Sequence, residues 1–205
     1  MENDEFLTLG APSQGLYKEK GSKFLGFAYP VSDEQQVKKH LDQLRNEYHD
    51  ARHHCYAYRM GVEGDIYRMN DDGEPSSTAG RPILGQISSH GLTNVLVVVV
   101  RYFGGTLLGT SGLIRSYKQA AAEALENANI IKKTVQSFYQ LEFDYALMNE
   151  VMKVLHDTSI QPFERDFKEK CTFHIGIPKS QEQKVVERFK AIHGLYVKPL
   201  NDNTQ

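Results

Sequence analysis

The run Val95-Leu96-Val97-Val98-Val99-Val100-Arg101-Tyr102, continued by Phe103-Gly104-Gly105-Thr106-Leu107-Leu108-Gly109-Thr110-Ser111-Gly112, decides the fold. Its first eight residues are rich in β-branched side chains and are apolar on both alternating faces. A strand of that kind belongs in the middle of a sheet covered on both sides. The glycines then break the pattern. From Ser111 to Asn129 the chain is alanine-rich and helical in spacing. Strand, glycine turn and helix together predict a helix layer packed on a sheet.

Working outward, Leu16–Lys20 and Lys23–Pro30 read as a strand pair joined at Gly21-Ser22, after a loose arm of fifteen residues. Ser32 with Gln35 three positions on is a capping-box start, and Val37, Leu41, Leu44 and Tyr48 follow at helical spacing to about His49. Arg52–Met60 and Ile66–Met69 read as a hairpin, Asn70–Pro82 as a loop, and the residues after Pro82 as a short helix. From Gln136 the order becomes β-α-β-β-α-β, the ferredoxin-like split unit. The expected class is therefore α+β. Residues 1–133 form an α/β domain and 134–205 a ferredoxin-like domain, with the linker near Lys132–Gln136.

The 205 residues carry 24 Lys+Arg against 26 Asp+Glu, a net charge of −2. Up to Thr134 there are 15 basic and 16 acidic residues, and beyond it 9 and 10, so neither half is a basic domain. Any nucleic-acid site is a local patch, because non-specific affinity comes from counterion release at phosphates. The longest apolar run is six residues, Val95–Val100, far short of the ~20 that span a bilayer. The acidic start, Met1-Glu2-Asn3-Asp4-Glu5, lacks the basic and apolar regions of a secretory leader. The two cysteines, Cys55 and Cys171, form no CxxC, which excludes a disulfide scaffold and a zinc finger. A soluble, cytoplasmic protein without membrane contact is expected.

Three stretches carry the candidate function. Alternation along Arg52–Arg59 sets Arg52, His54, Tyr56 and Tyr58 on one face and His53, Cys55, Ala57 and Arg59 on the other. The first face mixes cation and aromatics, as base-stacking surfaces do. It also suits a half-buried sheet face with hydrogen-bonded tyrosines. His53 and His54 point to opposite faces and cannot chelate one ion, so neither a metal nor another cofactor is expected. The second stretch, Asn70–Pro82, holds Asp71, Asp72, Glu74 and Arg81. It is either a functional loop or a carboxylate clamp on Arg52, Arg81 or the Arg101 of the next strand. The third joins Arg101, Tyr102, Gly104 and Gly105 to a helix start at Gly109, Thr110 and Ser111. Backbone N–H groups there can hold an anion with help from Arg115 and Lys118, or the glycines serve tight packing. No catalytic residue is assigned.

Four of these runs lie in register: Asp50-Ala51-Arg52-His53-His54-Cys55, Asp71-Asp72-Gly73-Glu74-Pro75, Thr78-Ala79-Gly80, and Val99-Val100-Arg101-Tyr102-Phe103-Gly104-Gly105 with Gly109. In order and spacing they resemble the signature of the IMPACT family, in its bacterial form, over the first ~130 residues. The resemblance implies a first domain similar to the second domain of small-subunit ribosomal protein five. It implies a second domain similar to the ferredoxin-like domain V of elongation factor G. It also implies a link to control of translation, with RNA, the ribosome or a translation factor as partner. The expected contact face joins Arg52, His54, Tyr56 and Tyr58 to Arg101, Tyr102, Gly104 and Gly105. The alternative is a phosphate- or nucleotide-binding small-molecule enzyme. Its glycine loop faintly resembles Leu108-Gly109-Thr110-Ser111-Gly112, and Asp71, Asp72 and Glu74 would serve as Mg²⁺ or base groups.

Overall fold

A computed structural model describes residues 4–200. The chain divides into two compact units, Phe6–Lys133 and the residues from Thr134 onward, with Asp4 and Glu5 grouping with the second. In chain order the first unit contains β1 (Glu5–Leu9), β2 (Ser13–Glu19), β3 (Ser22–Pro30), α1 (Glu34–Glu47), β4 (His53–Met60), β5 (Ile66–Asn70), α2 (Gly80–Ser89), β6 (Val95–Tyr102), α3 (Gly109–Glu126) and β7 (Ile130–Thr134). A five-stranded sheet in the order β2-β3-β6-β4-β5 puts β6 at its centre, antiparallel to both neighbours.

The two-sided apolar pattern of β6 explains the layers. Val95, Val97 and Val99 pack with Phe24, Cys55 and Ala57 against α2 and α3. Leu96, Val98 and Val100 pack with Phe27, Tyr56 and Tyr58 against Val37, Leu41 and Leu44 of α1. Close seating of α3 needs missing side chains beneath it. A Cβ on Gly26 would lie 2.3 Å from the Ala120 carbonyl oxygen, so glycine on β3 and alanine on α3 let backbone meet backbone. Helix α1 is capped one residue later than the sequence suggested. Asp33 accepts from the Gln36 amide at 2.8 Å, and the Gln36 side chain accepts from the Ser32 amide at 3.1 Å.

One expectation fails here. Residues 4–15 are not a loose arm, because they supply β1 and the first three residues of β2, and β1 pairs with β7. The two units divide between Lys133 and Thr134, inside the expected Lys132–Gln136 segment, but that segment is mostly strand: β7 ends at Thr134, β8 begins at Gln136, and only Val135 lies between. Short polar strands with partners far along the chain leave too little apolar alternation to be read locally.

The second unit runs β8 (Gln136–Phe143), α4 (Met148–Asp157), β9 (Pro162–Phe167), β10 (Cys171–Pro178), α5 (Glu182–Lys190) and β11 (Tyr196–Pro199). Its sheet order is β11-β8-β10-β9, all antiparallel, the ferredoxin-like arrangement. Val151 and Leu155 of α4 and Val185 and Phe189 of α5 cover Leu141, Phe143, Phe173 and Ile175 on one face of that sheet. The class is α+β, with two different α/β layerings. Among the described residues, no helix is long and apolar enough to cross a membrane.

Each unit has its own apolar core, which predicts that a fragment spanning residues 6–133 folds alone. Thermal or urea unfolding of that fragment should be a single cooperative transition. A fragment with no transition would contradict independent folding.

Candidate functional site

The alternation along β4 sorts the side chains as the sequence implied, but both faces are covered. His54, Tyr56 and Tyr58 lie under α1 at 6%, 7% and 3% exposure. They cannot stack bases, and this corrects the expected contact face. Tyr58 donates to Glu34 at 2.6 Å, and burial with that bond pushes its hydroxyl up to about 12. Tyr102 donates to Asp50 at 2.7 Å, and that bond raises it to about 12 as well. Arg52 stands exposed just before β4.

Asn70–Pro82 is tied down residue by residue. Asp71 accepts from the backbone amides of Ser77 at 2.8 Å, Ala79 at 3.0 Å and Gly80 at 2.8 Å, so its carboxylate covers the start of α2. Asp72 accepts from the His54 amide at 2.6 Å and lies 3.8 Å from Arg45. Glu74 binds the Arg101 guanidinium and accepts from the Tyr117 hydroxyl at 2.7 Å on the same oxygen. Asp71 and Glu74 are fully engaged in these bonds, while Asp72 is held mainly at one oxygen and keeps its side chain 29% exposed. The carboxylate clamp exists on Arg101, one of the arginines the sequence offers for it, and not on Arg52 or Arg81.

Arg101 is 7% exposed, and its guanidinium lies over the rings of Phe24 at 5.4 Å and Phe103 at 5.8 Å. It is an internal group, not a phosphate ligand on an outer surface. Tyr117 also meets Cys55, whose sulfur lies 3.4 Å from the hydroxyl and 3.0 Å from the Asp71 carbonyl. Burial pushes both the Cys55 thiol and the Tyr117 hydroxyl far up, so neither ionises near neutral pH. Tyr117 escaped the sequence reading. The signal was an aromatic hydroxyl inside an alanine-rich helix, which needs a partner once buried.

The glycine turn divides in two. Gly104 is a packing residue: a Cβ there would fall 1.9 Å from the Gly21 carbonyl carbon, and its amide donates to Ser22 at 3.1 Å. Gly105 (φ +86°) and Gly109 (φ +67°) adopt left-handed backbone with open space beside them. Arg115 pairs with Glu19 at 3.1 Å. Thr110 lines a groove of about 710 Å³ between α2 and α3, together with Ser76, Ser77, Thr78, Arg81 and Lys118. Gly105, Gly109, Ser111 and Arg115 are not among the residues lining it. Among the described residues, no three His, Cys, Asp or Glu side chains are grouped to hold a metal ion.

The second unit offers a different surface. Because α4 and α5 share one face of its sheet, the opposite face has no helix of that unit over it. Strand register places Glu142 beside Tyr196, Gln140 beside Lys198 and His174, and Glu142 also beside Thr172 on this open face. Phe163 meets Phe138 at 5.8 Å and His174 at 6.0 Å between ring centroids. Phe163 and Tyr196 are 60% and 67% exposed, and Lys170 lies 5.4 Å from the Tyr196 ring centre. The sequence reading missed this face because it took the alternation of the sheet only for its core side.

His54 gives a pH test of the fold around the site. Burial is the largest influence on its ring and lowers its affinity for a proton below the ordinary 6.5. Arg45 acts the same way, while Asp72 and the α1 carbonyls of Tyr48 and Leu44 oppose it. The unfolded chain therefore takes up this proton first. Stability from this group is complete above about pH 6.5 and is lost as pH falls below it. His54→Gln should unfold with a shallower acid dependence than the parent as pH falls from neutral through and below the ordinary 6.5. Equal slopes would contradict the assignment.

The sequence comparisons agree with this architecture. The Impact N-terminal domain family matches residues 20–125. The IMPACT family member YigZ of Escherichia coli K12 is 30% identical over 180 residues, covering 87% of this chain and 88% of that protein. A crystal structure described as a hypothetical protein is 27% identical with a TM-score of 0.69, covering 98% of this chain and all of that one. A solved chain described as the two-domain translational regulator Yih1 is 27% identical and covers 62% of this chain and 49% of that one. Its TM-score is 0.36, and nothing structural is carried over from it. With half the chain matched by the family's own domain and a relative aligned along most of its length, the chain belongs to the IMPACT family.

Proposed function

We propose that this protein regulates translation as a binding protein, by holding single-stranded RNA on the open sheet face of its second unit. Membership of the IMPACT family supports the translation-regulatory role. The observation that carries the RNA reading is the exposure of Phe163 and Tyr196 on a ferredoxin-like sheet with both helices behind it. Domains of this topology bind RNA by stacking bases on sheet aromatics. Here Phe138 and His174 on the two middle strands extend the Phe163 ring into an aromatic strip. Lys198 supplies charge at the Tyr196 edge, where Lys170 is paired with Glu142 at 3.0 Å.

The catalytic alternative loses its chemical groups. Glu74 is held by Arg101 and Tyr117, Asp71 by three amides, and Cys55 stays a thiol. Binding is the function that fits groups so fully engaged.

The test is affinity for short unstructured RNA at several salt concentrations. Phe163→Ala and Tyr196→Ala should each cost roughly 1–3 kcal/mol, with the salt dependence unchanged, because stacking is not electrostatic. Lys198→Ala should flatten the log–log salt slope by about one counterion. Absence of RNA binding by the parent protein would refute the reading.

A further inference from the structure

Helix α2 carries a glycine that its packing does not explain. Gly85 lies in the middle of Gly80–Ser89, where glycine costs roughly 1 kcal/mol relative to alanine. Its backbone is not left-handed, and a Cβ built there meets nothing within 4 Å. Glycines elsewhere in this unit have visible reasons: Gly26 and Gly15 admit α3, and Gly104 admits the β2–β3 turn. What Gly85 leaves bare is the floor of the α2–α3 groove.

The groove's volume of about 710 Å³ is that of a small-ligand site. Its chemistry is one-sided. Arg81 on α2 and Lys118 on α3 both line it, neither has a partner among the described residues, and no lining residue is acidic. The carboxylates of the adjoining loop are turned to other work, Asp71 to backbone amides and Glu74 to Arg101 and Tyr117. Ser76, Ser77 and Thr110 add hydroxyls, Pro82 and Ile114 an apolar strip, and Gln86 an amide with both donor and acceptor. The bond from Tyr117 to Glu74 ties the turn of α3 that bears Lys118 to the loop that bears the serines.

We infer that this groove binds a small phosphate monoester with a flat or apolar body, the chemistry of a nucleoside monophosphate. Arg81 and Lys118 hold the phosphate, for which unpaired cations are the complement. The serine hydroxyls serve phosphate or sugar. The flat body rests on Pro82, Ile114 and the bare backbone at Gly85, where any side chain would stand in its way. This site lies in the first unit and does not depend on RNA binding by the second.

The test uses the full chain and AMP as probe, read by calorimetry and by thermal shift. AMP should bind and raise the melting temperature, while adenosine alone and inorganic phosphate alone each bind at least tenfold more weakly. Arg81→Ala and Lys118→Ala should each lower AMP affinity about tenfold or more, since each removes a charge-assisted contact. Gly85→Leu starts from a Cβ that meets nothing within 4 Å and removes a helix glycine, so it should keep or raise the melting temperature of the free protein and abolish AMP binding. No stabilisation by about 5 mM AMP would overturn the proposal. So would AMP binding that survives Gly85→Leu, or inorganic phosphate binding as tightly as AMP.

Discussion

One carboxylate oxygen of Glu74 accepts from both Arg101 and Tyr117, and the first unit is organised around it. Arg101 ends the central strand, Tyr117 stands in the long helix, and Glu74 sits in the loop before α2. The bond set therefore joins sheet, helix and loop at one buried point, with the two charged side chains only 4% and 8% exposed. Such a pair is costly to bury, and it is retained where it fixes one arrangement among several of similar apolar content. Here it fixes the loop whose next residues cap α2 and line the groove. Asp71 then completes the loop through three amides, and Gly80 packs its backbone onto Asn70.

This explains how a segment that looks like a mobile binding loop is an ordered one. Its acids bond inward or along the backbone, and of its hydroxyl residues Ser76 and Ser77 are left exposed while Thr78 is buried on the Pro75 carbonyl. The electrostatic result is a groove without carboxylates, next to a loop full of them. Among the described residues of the second unit the inner face of the sheet is an apolar core, and the outer face has no helix of that unit over it.

Legibility followed the range of the interactions. Strand β6, the β4–β5 hairpin and the second unit's order were readable because periodicity and turn residues are local signals. Strands β1 and β7 were not, since each is short and its partner lies more than a hundred residues away. The faces of β4 sort as alternation implies, and of its two readings the covered face with a hydrogen-bonded tyrosine holds, because α1 buries Tyr56 and Tyr58 and Tyr58 donates to Glu34. Arg101 fits either a phosphate ligand or an internal partner of the loop carboxylates, and only the fold decides for the second. A charged residue at the end of an apolar strand does not show whether its counter-charge is in the protein or in a partner. The motifs did bring Asp71, Asp72, Glu74 and Arg101 into one neighbourhood. Their mutual bonds, and the part played by Tyr117, emerged only in three dimensions.

The central claim, that Glu74 and Arg101 act as one unit, is tested most directly by a double-mutant cycle on urea unfolding free energies. Glu74→Leu and Arg101→Met alone each strand a buried partner and should cost about 3–5 kcal/mol. The double variant should cost less than the two together by roughly 1 kcal/mol or more, the mark of residues that interact. Strictly additive costs, or single variants as stable as the parent, would contradict the account.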